Sequence, residues 1–243
     1  MIEIRALTEQ HEFAEAVALQ KTIWGFEDIE LLPVRLFVVA TKVGGQVFGA
    51  YDGDRMVAFL LAIPGLKPGG KYYLHSHMMG VLSEYRTAGI GRMLKLKQRE
   101  EALERGIELI EWTFDPLEVK NAFFNIERLG AVVRRYVLNQ YGTTTSLLHG
   151  GLPTDRCVAE WYIGSERVKQ VLVEGKYDPV EVVERIEVPV AMQNWKQSDP
   201  ARALSTQASI SEQFREHFRN GYAVTGFERA EDKGTYLLSK WHS

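Results

Sequence analysis

Val81-Leu82-Ser83-Glu84-Tyr85-Arg86-Thr87-Ala88-Gly89-Ile90-Gly91-Arg92 is the stretch on which the reading of this chain turns. Before it, Tyr72 to Val81 reads as a strand; after it, Ile90 to Arg105 has helical spacing up to a stop at Gly106. A strand, then Arg-x-x-Gly-x-Gly, then a long helix can hold phosphate on backbone N–H groups, because the first helical turn leaves those donors unpaired and its dipole favours anions. Gly89 and Gly91 have no Cβ to keep a ligand away, and Arg86 can add charge at the rim. The spacing alone also fits a plain strand-to-helix connection, so the surrounding segments must decide.

Working towards the amino terminus, Gln46 to Tyr51 and Met56 to Ile63 flank Asp52-Gly53-Asp54, which predicts a β-hairpin. Ile2 to Ile4 alternates with charge as a short strand, Glu12 to Trp24 carries apolar residues at helical spacing, and a second helix is expected from Pro33 to Ala40. Towards the carboxyl terminus, Ile107 to Phe114 reads as a strand. Asp115-Pro116-Leu117-Glu118 reads as a helix start with Asp115 as N-cap, the helix running to about Gly130. Ala131 to Tyr141 is expected as a strand and the loop from Gly142 to Pro153 as a boundary near residue 150. Beyond it come strands at 158–163 and 186–190, helices at 165–173 and 211–219, and a closing hairpin, 222–227 with 236–241.

Taken with this order of elements, Val81 to Arg92 resembles the acyl-CoA motif of the GNAT acyltransferase superfamily almost position by position. The resemblance implies a mixed α/β fold: a GNAT acyl-CoA N-acyltransferase domain over residues 1–150 and a carboxyl-terminal α+β extension over 151–243. It also implies that Met79 and Val81 offer backbone groups to pantetheine, and that the amides of Arg86, Thr87, Ala88, Gly89, Ile90, Gly91 and Arg92 hold the pyrophosphate. Asn121 to Ala131 is similar to the family's second motif, which makes Asn121 a cofactor-binding candidate. Ile126 stands where many relatives keep a proton-donating tyrosine, so Tyr136 and Tyr141 become candidates for that work. The runs Trp112-Thr113-Phe114-Asp115-Pro116-Leu117 and Gly151-Leu152-Pro153-Thr154-Asp155-Arg156 resemble a poorly characterised bacterial branch of the superfamily. That branch implies amino-acid-like acceptors and leaves acetyl and succinyl transfer both open.

Acyl transfer from a thioester to an amine needs a neutral amine, two reactants held together and a stabilised oxyanion. Strand alternation places Tyr73, His75, His77, Met79 and Val81 on one face, so His77 is the expected general base and His75 a substrate-binding neighbour. A strand histidine held by structural hydrogen bonds is the competing reading. Asp115 is the second catalytic candidate, able to draw the substrate ammonium as well as to cap a helix. Asp155 and Arg156 suit a substrate carboxylate, against the alternative of an ion pair that pins the loop. The basic residues Arg92, Lys95, Lys97 and Arg99, and likewise Arg134-Arg135, read first as solvated charge.

Composition sets the outer limits. With 243 residues, 45% of them hydrophobic, the chain can bury a sizeable core, and a net charge of -3 gives no basic field for nucleic acid or an anionic membrane. No apolar stretch approaches the roughly 20 residues of a spanning helix. One cysteine, Cys157, allows no internal disulfide and lies outside the motif, so no covalent intermediate is expected. The expectation is thus a cytoplasmic acyltransferase taking acetyl-CoA or another acyl-CoA as cosubstrate, with a small-molecule amine as partner, no metal, no nucleic acid, no membrane, and room for a homodimer. The alternatives are a non-catalytic acyl-CoA sensor, a doubly wound nucleotide enzyme, and an interaction scaffold built on Trp161, Trp195 and Trp241.

Overall fold

The computed structural model describes residues 1–142, 151–177 and 181–241; of the loop expected from Gly142 to Pro153, residues 143–150, with the boundary near residue 150, lie outside the described residues. Contacts divide the chain into two compact units, Met1–Glu111 and the described residues from Trp112 onward.

In the first unit the elements are β1 (Ile2–Ala6), α1 (Gln10–Trp24), α2 (Val34–Lys42), β2 (Gln46–Asp52), β3 (Arg55–Leu66), β4 (Tyr72–Val81), α3 (Ile90–Glu104) and the start of β5 (Leu109–Phe114). The hairpin forms where Gly53 supplies a φ of 59°, and β1, β2, β3 and β4 pair antiparallel in chain order. Both faces of this sheet are covered, which is why β3 reads as an unbroken apolar run from Met56 to Ile63. Phe59, Leu61, Ile63 and Met78 meet Phe13, Phe37 and Trp24 from α1 and α2. Ala58, Leu60, Ala62, Met79 and Val81 meet Ile90 and Leu94 of α3.

The second unit holds α4 (Val119–Phe123), a π-helical turn (Phe124–Arg128), β6 (Val132–Val137), β7 (Arg156–Tyr162), α5 (Glu166–Glu174), β8 (Glu184–Pro189), α6 (Met192–Ser198), α7 (Pro200–Arg219), β9 (Tyr222–Arg229) and β10 (Lys233–Lys240). Its strand order is β7-β6-β9-β10-β8, antiparallel throughout. Phe214 of α7 anchors it, stacked on Tyr136 at 5.2 Å and edge-on to Tyr236 at 4.9 Å between ring centroids.

Three expectations need correction here. Asp115 does not cap a helix that runs to Gly130: its Oδ1 accepts from the Leu117 amide at 2.8 Å in a local turn, and the first helical residue is Val119, with Glu118 at the N-cap. The expected helix at 211–219 is the second half of a longer one, which begins at Pro200 with Asp199 accepting from the Arg202 amide at 3.1 Å. The strand expected to reach Tyr141 ends at Val137, where turns begin, and Asn139 adopts a φ of 43°.

Candidate active site

The decisive irregularity lies in β4. Leu61 pairs with Met78 while the next residue, Ala62, pairs with Ser76, so His77 is an extra residue with no partner across the ladder, a β-bulge. Beyond the bulge the parity of the strand changes. Cross-strand partners share a face, so Met79 and Val81 lie with Leu60 and Ala58 on the α3 side, whereas Tyr73 and His75 lie with Gly65 and Ile63 on the other. The expectation that all these residues share one face with His77 is therefore overturned.

The same region opens the sheet edge. The parallel ladder between β4 and β5 consists of Leu74↔Ile110 and His75↔Glu111 and goes no further along β4. On the β3 side, the Leu82 amide donates to the Val57 carbonyl at 2.9 Å, which fixes the hydrogen-bonding phase. Alternation then turns the amides of Val81 and Met79 away from β3, towards the edge that β5 has left.

After β4 the chain makes a 3-10 turn, Ser83–Tyr85, moored to the β2–β3 hairpin by Tyr85 Oη donating to Asp52 at 2.9 Å and by Arg55 pairing with Glu84 at 2.9 Å. The amides of Arg86 and Ala88 donate back to the carbonyls of Ser83 and Tyr85, at 3.3 and 3.1 Å. Gly89 takes a φ of 75° as the N-cap of α3, no side chain caps that end, and the first helical bond is Met93 N–H to Gly89 at 3.1 Å. The donors aimed out of this helix mouth are accordingly those of Ile90 and Gly91. Residues 86–89 are exposed, a Cβ on Gly89 would meet nothing within 4 Å, and one on Gly91 would meet only Met79 Cε at 3.5 Å. The Arg86 guanidinium turns back to the Val81 carbonyl at 3.4 Å.

His75 and His77 are half-buried with ring centroids 5.9 Å apart. Burial, then the neighbouring His77, brings the pKa of His75 down to about 4, and burial lowers that of His77. Both imidazoles are neutral at pH 7 and can accept a proton. Around them, buried Glu111 pairs with Lys67 at 2.7 Å, and Lys95 donates to Ser76 Oγ at 2.8 Å and to Gln98 Oε1 at 3.0 Å. Lys95 was expected in solvent with Arg92, Lys97 and Arg99; it is buried instead, and burial pulls its pKa far below the ordinary lysine value.

The remaining candidates belong to the second unit. Asp115 lies 3.5 Å from the buried Lys196 ammonium, and Asn121 accepts from Asn125 at 3.3 Å while Asn125 accepts from Trp112 at 3.2 Å. Asp155 is buried and accepts from Ser211 at 2.6 Å, from Tyr136 at 3.1 Å and from the Asn139 amide at 2.9 Å. Arg156, also buried, donates to the Asp155 carbonyl at 3.0 Å and stacks over Tyr141 at 5.4 Å. Ile126 is fully buried in the π-helical turn; burial holds the Tyr136 hydroxyl protonated, and the exposed Tyr141 hydroxyl meets Thr113 Oγ1 at 2.9 Å. Among the described residues no group of three His, Cys, Asp or Glu is placed to hold a metal ion, and no helix is long and apolar enough to cross a membrane.

With this geometry in view, the model of the acetyltransferase (GNAT) family matches residues 10–130. No curated protein matches. Similar solved structures include the ribosomal-protein-S18-alanine N-acetyltransferase of Escherichia coli, 18% identical, with a TM-score of 0.53 over 68% of this chain and 96% of that one. Arabidopsis thaliana Naa50, solved with a bisubstrate analogue, is 16% identical, with a TM-score of 0.52 over 65% of this chain and 97% of its own. An acetyltransferase of the GNAT family from Streptococcus pneumoniae is 14% identical, with a TM-score of 0.51 over 66% and 98%.

Proposed function

Because the chain belongs to the GNAT acetyltransferase family and is an acyltransferase, we propose that it moves an acetyl or succinyl group directly from CoA to the amine of a small molecule, an amino acid foremost. The observation that carries this reading is the pairing of a helix mouth with open space in front of Gly89 and Gly91 with the unladdered edge of β4 that follows the bulge. The edge amides of Met79 and Val81 suit the amide-rich pantetheine arm as an added strand, and the Ile90 and Gly91 amides suit a diphosphate.

His77 is proposed as general base. Its neutral imidazole takes the ammonium proton, directly or through water, so that the amine lone pair can attack the thioester carbonyl. The thiolate leaves with the electron pair, and the second proton of the nitrogen passes through water to it, since Ile126 has no proton to give. For Asp115 the proposal is attraction of the substrate ammonium. For Asp155 and Arg156, whose polar atoms are engaged internally, it is to fix the start of β7. Residues 151–243 are proposed to serve the same reaction as residues 1–150, and the cytoplasm is the proposed compartment.

Relatives named above act on, or were solved with, protein or peptide amines. A free-thiol release assay should therefore set L- and D-amino acids beside amino-terminal peptides, each with acetyl-CoA and succinyl-CoA. Turnover with a free amino acid exceeding that with every peptide supports the proposal; peptide preference overturns the small-molecule acceptor, and no turnover with any pair overturns the transfer reaction.

A further inference from the structure

The tip of the β2–β3 hairpin grips a segment far from it in sequence. Asp52 and Arg55 are partners on the last rung of that hairpin, which puts their side chains on one face. Opposite charges so placed commonly meet each other; here Arg55 Nη2 donates to Glu84 Oε1 at 2.9 Å, and Asp52 Oδ2 accepts from the Tyr85 hydroxyl at 2.9 Å. These partners stand 29 and 33 residues away, on consecutive positions of the turn that leads to Gly89. A bulge bends the hairpin beside that turn: Tyr51 pairs with Met56 but Ala50 with Ala58, so Val57 is an extra residue, and its carbonyl accepts the Leu82 amide at 2.9 Å.

The grip is passed along the turn. Tyr85 packs on the cluster that holds Leu82, Ile90 and Leu94 while Asp52 holds its hydroxyl, and the Tyr85 carbonyl accepts the Ala88 amide at 3.1 Å. Ala88 stands next to Gly89, which opens α3 at a φ of 75° with no side chain capping that end. Residues 86–89 are exposed, and the contacts at Glu84 and Tyr85 tie their turn to the hairpin before any ligand comes. A loop ordered in advance loses less freedom when its amides close on an anion. On the reading that the Ile90 and Gly91 amides receive the diphosphate of the cosubstrate, on which this rests, we propose that Asp52 and Arg55 are positioning residues for that diphosphate, acting through Tyr85 and Glu84.

Isothermal titration of the full chain with CoA and with pantetheine, which has no diphosphate, tests this. The parent is expected to bind CoA about tenfold more tightly or better, through the diphosphate. Tyr85→Phe keeps the ring and changes no charge. It should weaken CoA about threefold, and combined with Arg55→Gln about tenfold, the scale of exposed charge-assisted contacts. Pantetheine affinity and the melting temperature without ligand should stay as in the parent, which a general loss of structure would not allow. CoA and pantetheine weakened alike, or CoA affinity unchanged in the double variant, overturns the positioning role and leaves the diphosphate site standing. A parent that binds CoA no more tightly than pantetheine overturns that site and the positioning role with it.

Discussion

His75 and His77 lie on one strand with their rings 5.9 Å apart, yet only His77 occupies the bulge and only His75 keeps a place in both neighbouring ladders. The two imidazoles are thus held differently. His75 is fixed between Ile63 and Glu111, while His77 is released from pairing at the point where the β5 ladder has ended.

His77→Ala should lower kcat by about 100-fold or more, the usual contribution of a general base, while CoA affinity measured by titration changes less than threefold. In the parent enzyme the acidic limb of the kcat/KM profile should fall below pH 6.5, because burial lowers the His77 pKa from that value. An unchanged rate in the variant, or a limb above pH 6.5, would remove His77 from the role of base.

Stability should fall as the medium is acidified. Below pH 6.5 the unfolded chain takes up a proton at His75, while the folded chain refuses it down to about pH 4. The unfolded state binds more protons in that window, so unfolding becomes easier as pH drops through it, by on the order of 1–3 kcal/mol from this group. Urea titrations at pH 7.5 and pH 5, compared with the same pair for His75→Phe, should show a smaller difference in the variant.

Gly91→Ala and Gly89→Ala should separate. A Cβ at position 91 meets only Met79 Cε at 3.5 Å, so the melting temperature should hold while CoA affinity falls by about tenfold through crowding of the diphosphate. At position 89 the φ of 75° strains any side chain, and roughly 1 kcal/mol of stability should be lost in addition. Thermal melts with and without CoA report both effects, and equal CoA affinity in Gly91→Ala and the parent would count against a diphosphate at this helix mouth.

Asp199→Ala should cost about 1 kcal/mol in urea denaturation, the common value of a lost N-cap, because its side chain accepts from the Arg202 amide. Asp199→Asn should restore most of it, and a variant as stable as the parent would mean that the cap contributes nothing.

That last residue also shows what could and could not be seen in the sequence. Asp-Pro at 115–116 was read as a helix start and is not one, whereas the same pair at 199–200 does start a helix and was passed over. At the first, the Pro116 carbonyl accepts from the Tyr236 hydroxyl at 2.7 Å, a partner 120 residues away, and the helix begins only at Val119. Elements ruled by local signals came through: the hairpin at Gly53, α1, α3 and the whole of β4. The glycine turn was legible because its chemistry is local too. The bulge in β4 was not, since a bulge is a matter of register against another strand, and His77 carries no mark of it. Lys95 was misread for the same reason: its helix shows the period, but only the position of Ser76 on β4 reveals that this lysine faces inward.

The extra residue in β4 cannot be ironed flat. If His77 took a regular place in the ladder, every residue after it would slide by one, and Met79 would come to the spot now held by Gly80. Even a lone Cβ there would lie 2.6 Å from the Trp24 ring. Crowding by a tryptophan on one side of the sheet thus keeps a berth standing on the strand's far edge, and a guest chain that docks alongside Met79 and Val81 has no zipper to undo first.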